Sequence, residues 1–233
     1  MNGASSGIVL NNTGTIGGFT ITGDGSTAGS GGIIQNTTGN AVSLTNASNV
    51  ALNFVNISNS NVNGIFGNNV TGFTLNGANV TGNGDAVNEG GLRFEENLLG
   101  TAVISSSTIS GSAEHNIEII NTMGVLNLSI TDSTISTNSA ALGADGLLLE
   151  TRNSAQATVM VTGSTFTDNQ SDGIQISAID ASVASLTVND TDFTSSLDGS
   201  PAGSTGARGI VLSAATNADL TFDIGSTASN LFE

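Results

Sequence analysis

Two aspartates stand out as residues that could bind a metal ion. Asp145 and Asp172 each precede a glycine and fall at the same position of neighbouring copies of the repeat described below. Two carboxylates this close repel each other unless a cation lies between them, and oxygen ligands suit calcium. An Asp-Gly pair is also a turn signal, and Arg208, one repeat further on, could neutralise Asp172 instead. The sequence therefore leaves two hypotheses, a shared calcium ion or a pair of turn residues.

Few other residues could take part in acid–base catalysis. His115 is the single histidine and is predicted to lie beside Asp145, where we expect a surface turn residue rather than a catalytic base. Asp190 and Asp192, like Asp145 and Asp172, could stand ~5–10 Å apart, as the paired carboxylates of glycoside hydrolases do. However, the chain has no Trp or Tyr to hold a sugar ring, and three Arg without any Lys cannot form a basic subsite for an acidic sugar. The sequence therefore predicts no enzymatic activity and, calcium apart, no cofactor.

The composition excludes several classes of protein. Nineteen carboxylates against three Arg give a net charge of −16, which would repel the phosphates of a nucleic acid. Strong helix formers such as Lys, Glu and Gln are scarce, and there is no Cys for a disulfide or a thiol enzyme. No apolar run approaches the ~20 residues of a membrane span. We therefore expect an all-β protein with no nucleic-acid partner and no membrane span.

A four-residue pattern recurs along the chain: a small residue, an apolar residue, any residue and a second apolar residue. The repeats start 23 residues apart (Ala41 to Gly64) at the closest and 36 residues apart (Gly173 to Gly209) at the widest, apart from a less regular first interval. The copy at Gly64 is degenerate, because Gly67 replaces its second apolar residue. The pattern begins at Gly7, Ala41, Gly64, Gly91, Asn116, Gly146, Gly173 and Gly209.

A second signal lies inside each repeat, where an apolar strand residue is followed five residues later by another apolar residue. This step stays constant while the repeat length varies, which predicts two strands joined by a rigid turn, with insertions confined to another corner. The predicted pairs are Ile57/Val62, Leu75/Val80, Ile104/Ile109, Ile130/Ile135, Val161/Phe166 and Val188/Phe193.

The alternation of apolar and polar residues within each repeat is typical of short strands, as in Ala157–Val161 and Leu126–Ile130. Coils of about three strands that stack on copies of themselves predict a right-handed parallel β-helix of about eight rungs, with three short strands per rung. Segments such as VTGSTFTDNQSDGIQI (161–176) and SITDSTISTN (129–138) resemble the right-handed parallel β-helix repeats of pectate-lyase-like proteins and of bacterial surface adhesins and autotransporter passengers. Enzymes and non-enzymes share this fold, so the resemblance implies a fold and leaves the activity open.

Stacking places equivalent residues of successive repeats in columns. Small hydroxyls two residues before the third-strand apolar position are expected to satisfy one another inside the turn; they are Ser60, Ala78, Ser107, Ser133, Ser164 and Thr191. Two outward columns flank that position: Asn61, Asn79, Thr108, Thr134, Thr165 and Asp192 form one, and Asn63, Thr81, Ser110, Ser136, Thr167 and Thr194 form the other. Rows of Thr and Ser resemble ice-binding β-helices, which is a remote alternative, since such residues also suit a solvated strand.

Charged residues gather in two places. Arg93 and Glu118 are predicted to stack outward on adjacent rungs as a surface ion pair worth at most ~1 kcal/mol. The corner between the third and first strands takes up the variation in length and comprises 81–90, 110–115, 136–145, 167–172 and 194–208, the longest loop, which holds Pro201. Insertions on one corner either mark a binding face or are tolerated where loops meet water. Its acidic residues are Asp85, Glu89, Glu114, Asp145, Asp168, Asp172 and Asp198.

These features predict one β-helix domain over residues 1–233, with less regular first rungs in 1–40. The pattern shows no capping helix at either end and no export signal, so we expect a fragment of a longer chain or, alternatively, a subunit that stacks end to end into a filament. The predicted function is a non-enzymatic structural or adhesive segment of a secreted or cell-surface bacterial protein. A glycan-binding or tailspike-like module acting on polysaccharides is a further alternative.

Overall fold

The computed structural model describes residues 1–138, 144–194, 208–225 and 229–232, and all regular secondary structure in these ranges is β. The strands form two sheets of thirteen and eight strands. In chain order they are β1 (Ile8–Thr13), β2 (Phe19–Ile21), β3 (Gly32–Gln35), β4 (Val42–Asn53), β5 (Val55–Ser58), β6 (Ile65–Asn76), β7 (Asn79–Thr81), β8 (Leu92–Ser105), β9 (Thr108–Ser112), β10 (Ile117–Asn121), β11 (Val125–Thr131), β12 (Thr134–Asn138), β13 (Leu147–Thr151), β14 (Gln156–Thr162), β15 (Thr165–Thr167), β16 (Ile174–Ala178), β17 (Val183–Asn189), β18 (Asp192–Thr194), β19 (Ile210–Ala214), β20 (Asp219–Ile224) and β21 (Leu231–Phe232).

Every pairing between these strands is parallel and joins equivalent positions of successive repeats. The first apolar residue of the four-residue pattern forms an unbroken column of Ile8, Val42, Ile65, Leu92, Ile117, Leu147, Ile174 and Ile210. The first and second strands of each repeat belong to the larger sheet, and the third strands form the smaller one. The predicted parallel β-helix is therefore confirmed.

The number of fully packed coils is smaller than the predicted eight rungs. In the first and last coils, β1 and β20 bury no residue completely, whereas the inward side chains of the coils between them are almost all buried. About six packed coils therefore lie between two open terminal coils. The first of the two terminal coils, β1 to β3, falls within 1–40, the segment predicted to be less regular. Most of the predicted longest loop, 194–208, lies outside the described residues together with Asp198 and Pro201.

The rigid turn predicted between the second and third strands is a single residue in the left-handed region. Asn and Asp tolerate this conformation better than most residues, and Gly adopts it freely. The repeated need for such turns helps to explain why the chain is rich in Asn and Gly. A similar column follows the third strand, from Asn36 (φ 54°) to Asp168 (φ 55°). From the second coil onward the turn between the second and third strands is made by Phe54, Gly77, Ser106, Asp132, Gly163 and Asp190, whereas in the first coil residues 24–31 separate the left-handed Gly23 from β3.

One of the six predicted five-residue pairs is placed wrongly. Ile57 pairs with Val80 and is therefore a third-strand residue, while Leu52 pairs with Leu75 and is its second-strand partner. The correct pair is Leu52/Ile57, which keeps the five-residue step. The columns that began at Ser60, Asn61 and Asn63 begin instead five residues earlier in the chain.

Packing requires a glycine before most of the first strands, while Ala41 and Asn116 precede β4 and β10. A Cβ on Gly64 would lie 2.7 Å from the carbonyl oxygen of Gly91 in the next coil and 2.7 Å from Val80. The degenerate copy has a similar cause. A Cβ on Gly67 would overlap the Phe94 ring, which is buried and packs edge-on against Phe73 with ring centroids 5.1 Å apart. Gly67 therefore makes room for a large side chain one coil away.

Candidate functional site

The corner between the third and first strands carries a ladder of hydrogen bonds that run from coil to coil. A side-chain acceptor in one coil receives the backbone N–H of the equivalent residue in the next coil. Asp145 N–H donates to His115 Nδ1 (2.9 Å), and Asp172 N–H donates to Asp145 Oδ1 (3.0 Å). The N–H of Arg208 in turn donates to Asp172 Oδ1 (3.0 Å), and that of Gly90 donates to Asn63 Oδ1 (2.9 Å).

This ladder places Asp145 and Asp172 on adjacent coils, as expected, but buries both of them, since each is 1% exposed. His115 is also buried, at 8% exposed, so the expectation of a surface turn residue is wrong. Its Nδ1 accepts a backbone N–H and lies 3.4 Å from Asp145 Oδ2. The imidazole therefore acts as a buried hydrogen-bond acceptor that fixes the backbone of the next coil.

Burial shifts the pKa values of His115 and Asp145 in opposite directions. Burial, reinforced by the nearby Arg93 charge, lowers the pKa of His115 from 6.5 to about 4. Burial also raises the pKa of Asp145 from 3.8 to about 7, and the Asp172 carboxylate adds to this rise against hydrogen bonds that favour the ionised form. Near neutral pH the His115 imidazole is therefore uncharged, and the Asp145 carboxyl is partly protonated.

Arg208 holds the second aspartate of the predicted calcium pair. Its Nε lies 3.0 Å from Asp172 Oδ1 and its Nη2 lies 3.2 Å from Asp172 Oδ2, so the guanidinium contacts both oxygens. Within the described ranges, no group of three or more His, Asp or Glu side chains is arranged to hold a metal. Calcium binding at Asp145 and Asp172 stays a prediction, and a melting temperature that rises in millimolar calcium and falls with chelator would support it.

Arg93 and Glu118 lie on adjacent coils as predicted, but not at the surface. Both residues are 8% exposed, and Arg93 Nη1 lies 2.7 Å from Glu118 Oε2. The same guanidinium donates from Nε and Nη2 to Glu95 Oε1 at 2.9 and 2.7 Å. The prediction of a surface ion pair is therefore wrong. An outward-facing side chain can still be buried when neighbouring side chains and loops cover it, and removing one partner of a buried pair is costly.

More carboxylates than cations surround Glu118. Burial raises the pKa of Glu118 from 4.5 to about 7; Arg93 opposes this rise, and the nearby Glu114, Glu95 and Glu150 charges reinforce it. Glu150 is itself paired with Arg152. The outward face of the first strands therefore holds a carboxyl that titrates near neutral pH, which is the property required of a general acid or base.

Other acidic residues of the variable corner hold backbone groups. Glu89 Oε2 accepts the N–H groups of Asp85 and Ala86 at 2.8 and 2.9 Å, and Glu114 Oε2 accepts that of Asn88 at 2.5 Å. The remaining candidate pair of carboxylates is exposed: Asp190 forms a left-handed turn, and Asp192 lies on the outward face of a third strand.

A buried polar column at the same corner was missed by the sequence reasoning. Asn169 Oδ1 accepts from Asn116 Nδ2 (3.0 Å) and Asn138 Nδ2 (3.3 Å), and Asn169 Nδ2 donates to the carbonyl of Ile135 (3.3 Å). A signal exists in the sequence, because a small polar residue stands three positions after each third-strand core residue. The column consists of Thr37, Ser60, Asn83, Ser112, Asn138 and Asn169, all buried.

The outward columns of the third strands are confirmed from their second members onward, and their first members are corrected to Asn56 and Ser58.

Two shallow grooves lie on the outer surface of the coils. One, of about 330 Å³, is lined by Asn56, Ile57, Ser58, Asn79, Thr81 and Thr108. The other, of about 420 Å³, follows the bend between the first and second strands and is lined by Asn49, Val50, Ala51, Thr71, Gly72, Phe73, Thr74, Gly100 and Thr101.

The stacked coils define the class of this protein, an all-β parallel β-helix. No protein family model matches the chain, and no curated protein matches it. Among solved structures, the chain is similar to the crystal structure of pectate lyase Pel9A, with 10% sequence identity and a TM-score of 0.46. The similarity covers 81% of this chain and 52% of that one, so the chain spans about half the length of the lyase structure. A likeness this distant carries no argument about activity. In the part of the chain that the structure describes, no helix is long and apolar enough to cross a membrane.

Proposed function

We propose that this chain is a non-enzymatic structural or adhesive segment of a secreted or cell-surface bacterial protein, where it serves as a stalk or passenger. The observation that carries the proposal is the ladder at the variable corner. His115, Asp145 and Asp172 use their side chains to hold the backbone of the next coil, and Arg93 is clamped between two glutamates. The buried residues best suited to acid–base chemistry therefore bind neighbouring parts of the β-helix instead.

The composition supports an extracellular setting. The chain has no Cys, and its three Arg without any Lys offer trypsin-like proteases few sites for cleavage. A net charge of −16 keeps a β-rich surface soluble and disfavours lateral association between rods. These properties suit a rod that displays other parts of a protein away from a cell.

A hydrolysis and elimination assay tests the non-enzymatic role. The purified chain is incubated with neutral and acidic polysaccharides, and released reducing ends and unsaturated products are measured. We expect no product from the wild type or from Glu118→Gln. Product released by the wild type and lost in Glu118→Gln would overturn the proposal, because Glu118 has the pKa that a catalytic acid needs.

A glycan-binding role is favoured by one further observation. The groove beside Thr81 is lined by side-chain amides and hydroxyls together with Ile57, and none of its lining residues is charged. A neutral glycan array tests this role by comparing the wild type with Thr81→Val. Thr167→Val is the matched control, because Thr167 occupies the same outward column outside the groove. Equal binding by both variants, or no binding by the wild type, would refute recognition at this groove.

A further inference from the structure

The outward side of the second strands in the middle of the rod exposes large apolar side chains. Within 42–138 and 144–194, five such side chains are exposed. Val87 lies in the corner loop between β7 and β8, and the other four lie on or just before three consecutive second strands. These four are 40% to 58% exposed: Met123 in the turn before β11, Val125 on β11, Met160 on β14 and Val183 on β17. Apolar side chains gathered on one face of a soluble protein mark an interaction surface.

The same surface carries no charge. Strands β11, β14 and β17 contain no charged residue, although the net charge of the chain is −16. We call the surface formed by their outward side chains the uncharged face. It consists of Val125, Asn127 and Ser129 on β11, Gln156, Thr158 and Met160 on β14, and Val183, Ser185 and Thr187 on β17. Two copies of this acidic chain can therefore approach through the uncharged face without bringing like charges together at its centre.

The uncharged face is self-complementary about its central strand, β14. The pairings place Gln156 between Val125 and Val183 in one column, and Met160 lies beside Ser129 in another. If two copies face each other across a two-fold axis that runs along β14, the axis exchanges β11 with β17 and keeps each column opposite itself. Val125 then meets Val183 of the second copy, and Met160 meets its own equivalent. A two-fold axis along the rod would exchange the columns and bring Met160 opposite Gln156.

The uncharged face is large enough for a weak, specific contact. With the second-strand parts of β8 and β20 on either side, it comprises five strands of about seven residues, which measure roughly 24 by 23 Å at the usual spacings. Two copies facing each other would cover on the order of 1,100 Å² in total, near the lower limit of specific interfaces. We therefore expect a dissociation constant in the micromolar range.

The charges around the uncharged face predict the effect of salt. The axis along β14 places Asp219 and Asp223 of β20 opposite β8 of the second copy, whose outward residues in this part are uncharged. However, Asp132 and Asp190, in the turns after β11 and β17, come close together at the rim. Salt screens a repulsion between charges near the surface, so the contact should tighten as sodium chloride is added.

We propose that the uncharged face binds the uncharged face of a second copy of this chain, with the two-fold axis along β14 and the two rods antiparallel. The contact is isologous and closes on itself, so the product is a dimer. Coils stacked above or below leave the face free, because it points away from the axis of the rod. This surface goes beyond the proposed role as a stalk or passenger, which needs only a single rod.

A charged substitution at the centre of the face tests the contact. Met160→Asp would place two carboxylates opposite each other. Val87→Asp is the matched control, because Val87 is also an exposed apolar residue but lies in the corner loop. Sedimentation equilibrium at low and high sodium chloride measures the mass from micromolar to millimolar protein, and circular dichroism checks that each variant keeps its β-structure.

We expect the wild type and Val87→Asp to pass from one chain mass of 23.1 kDa to two as concentration rises. Met160→Asp should weaken the association by about tenfold or more, because it faces two like charges across the centre of the interface. A wild type that stays monomeric at millimolar protein in high salt overturns the proposal, and so does a dimer that Met160→Asp does not weaken.

Engineered cysteines test the arrangement of the two copies, because the chain has no Cys of its own. A short bis-maleimide can join two cysteines on facing sheets, which lie ~10 Å apart. We expect cross-linked dimers from Met160→Cys alone. A mixture of Val125→Cys and Val183→Cys should also react, whereas either of these two variants alone should give little product. The antiparallel arrangement is overturned if Val125→Cys alone gives as much product as the mixture, or if the control Val87→Cys gives as much as Met160→Cys.

Discussion

The buried carboxyl of Glu118 makes the stability of this protein depend on pH in an unusual direction. A carboxyl whose pKa is higher in the folded state than in the unfolded state binds more protons when folded, so it stabilises the protein as pH falls. Its contribution is fully present below the unfolded value of 4.5 and is lost as pH rises through about 7. We therefore predict that the free energy of unfolding rises from mildly alkaline to mildly acidic pH.

The size of this rise in unfolding free energy follows from three buried groups with shifted pKa values, Glu118, Asp145 and His115. Between about pH 8.5 and 5.5, Glu118 contributes about 2 kcal/mol, and Asp145 contributes a similar amount. His115 acts in the opposite sense, because its folded pKa of about 4 lies below the unfolded 6.5; it removes about 1.4 kcal/mol over the same interval. The net rise is about 2.6 kcal/mol, and Glu118→Gln should reduce it to about 0.6 kcal/mol.

Urea denaturation at a series of pH values measures this rise. Far-UV circular dichroism follows unfolding, because the chain has no Trp or Tyr for fluorescence. Asp192→Asn is the matched control, since Asp192 is exposed on a third strand and should leave the slope unchanged. A wild type whose stability falls on acidification over this interval, or a Glu118→Gln variant with the full rise, would refute the reasoning.

Three substitutions test the packing and turns of the coil, each by urea denaturation. Gly67→Ala forces a Cβ into a buried aromatic ring and should cost about 1–3 kcal/mol, whereas Gly17→Ala, with open space around it, should change stability by less than about 0.5 kcal/mol; equal effects would contradict the packing argument. Asn169→Leu leaves two buried amide donors without their acceptor and should cost about 2–4 kcal/mol; a neutral effect would refute the buried column. Ser106→Gly relieves a left-handed backbone (φ 48°) and should stabilise by about 0.5 kcal/mol, while Ser129→Gly, inside strand β11, should destabilise; the opposite order would contradict the turn assignment.

The stacking of coils could be predicted because the repeat is written in local sequence. A small residue before an apolar pair is demanded by close contact between coils, as Gly64 shows, and the register of the first strands follows from it. The error at Ile57 has a local cause. Both Leu52/Ile57 and Ile57/Val62 satisfy the five-residue step, so only the pairing of Ile57 with Val80 in the next coil decides between them.

The burial of the site could not be predicted from the same pattern. Alternation correctly places Arg93 and Glu118 on the outward face. Whether an outward side chain is exposed depends on residues from several other coils, whose positions the pattern does not specify. The same applies to His115, which the sequence predicts beside Asp145, but whose enclosure is a property of the stack.

The parallel pairing of every coil with its neighbours also determines how the rod responds to force. Hydrogen bonds between coils run along the axis of the rod, so tension applied between its two ends pulls directly on these bonds at the outermost coil. The outermost coil bears most of the load, so the coils should detach and unfold one after another, starting from the end of the rod. The repeat from Val42 to Ile65 spans 23 residues, so its release would lengthen the chain by about 80 Å. Each such step dissipates work, and a tether built this way lengthens under load before it breaks.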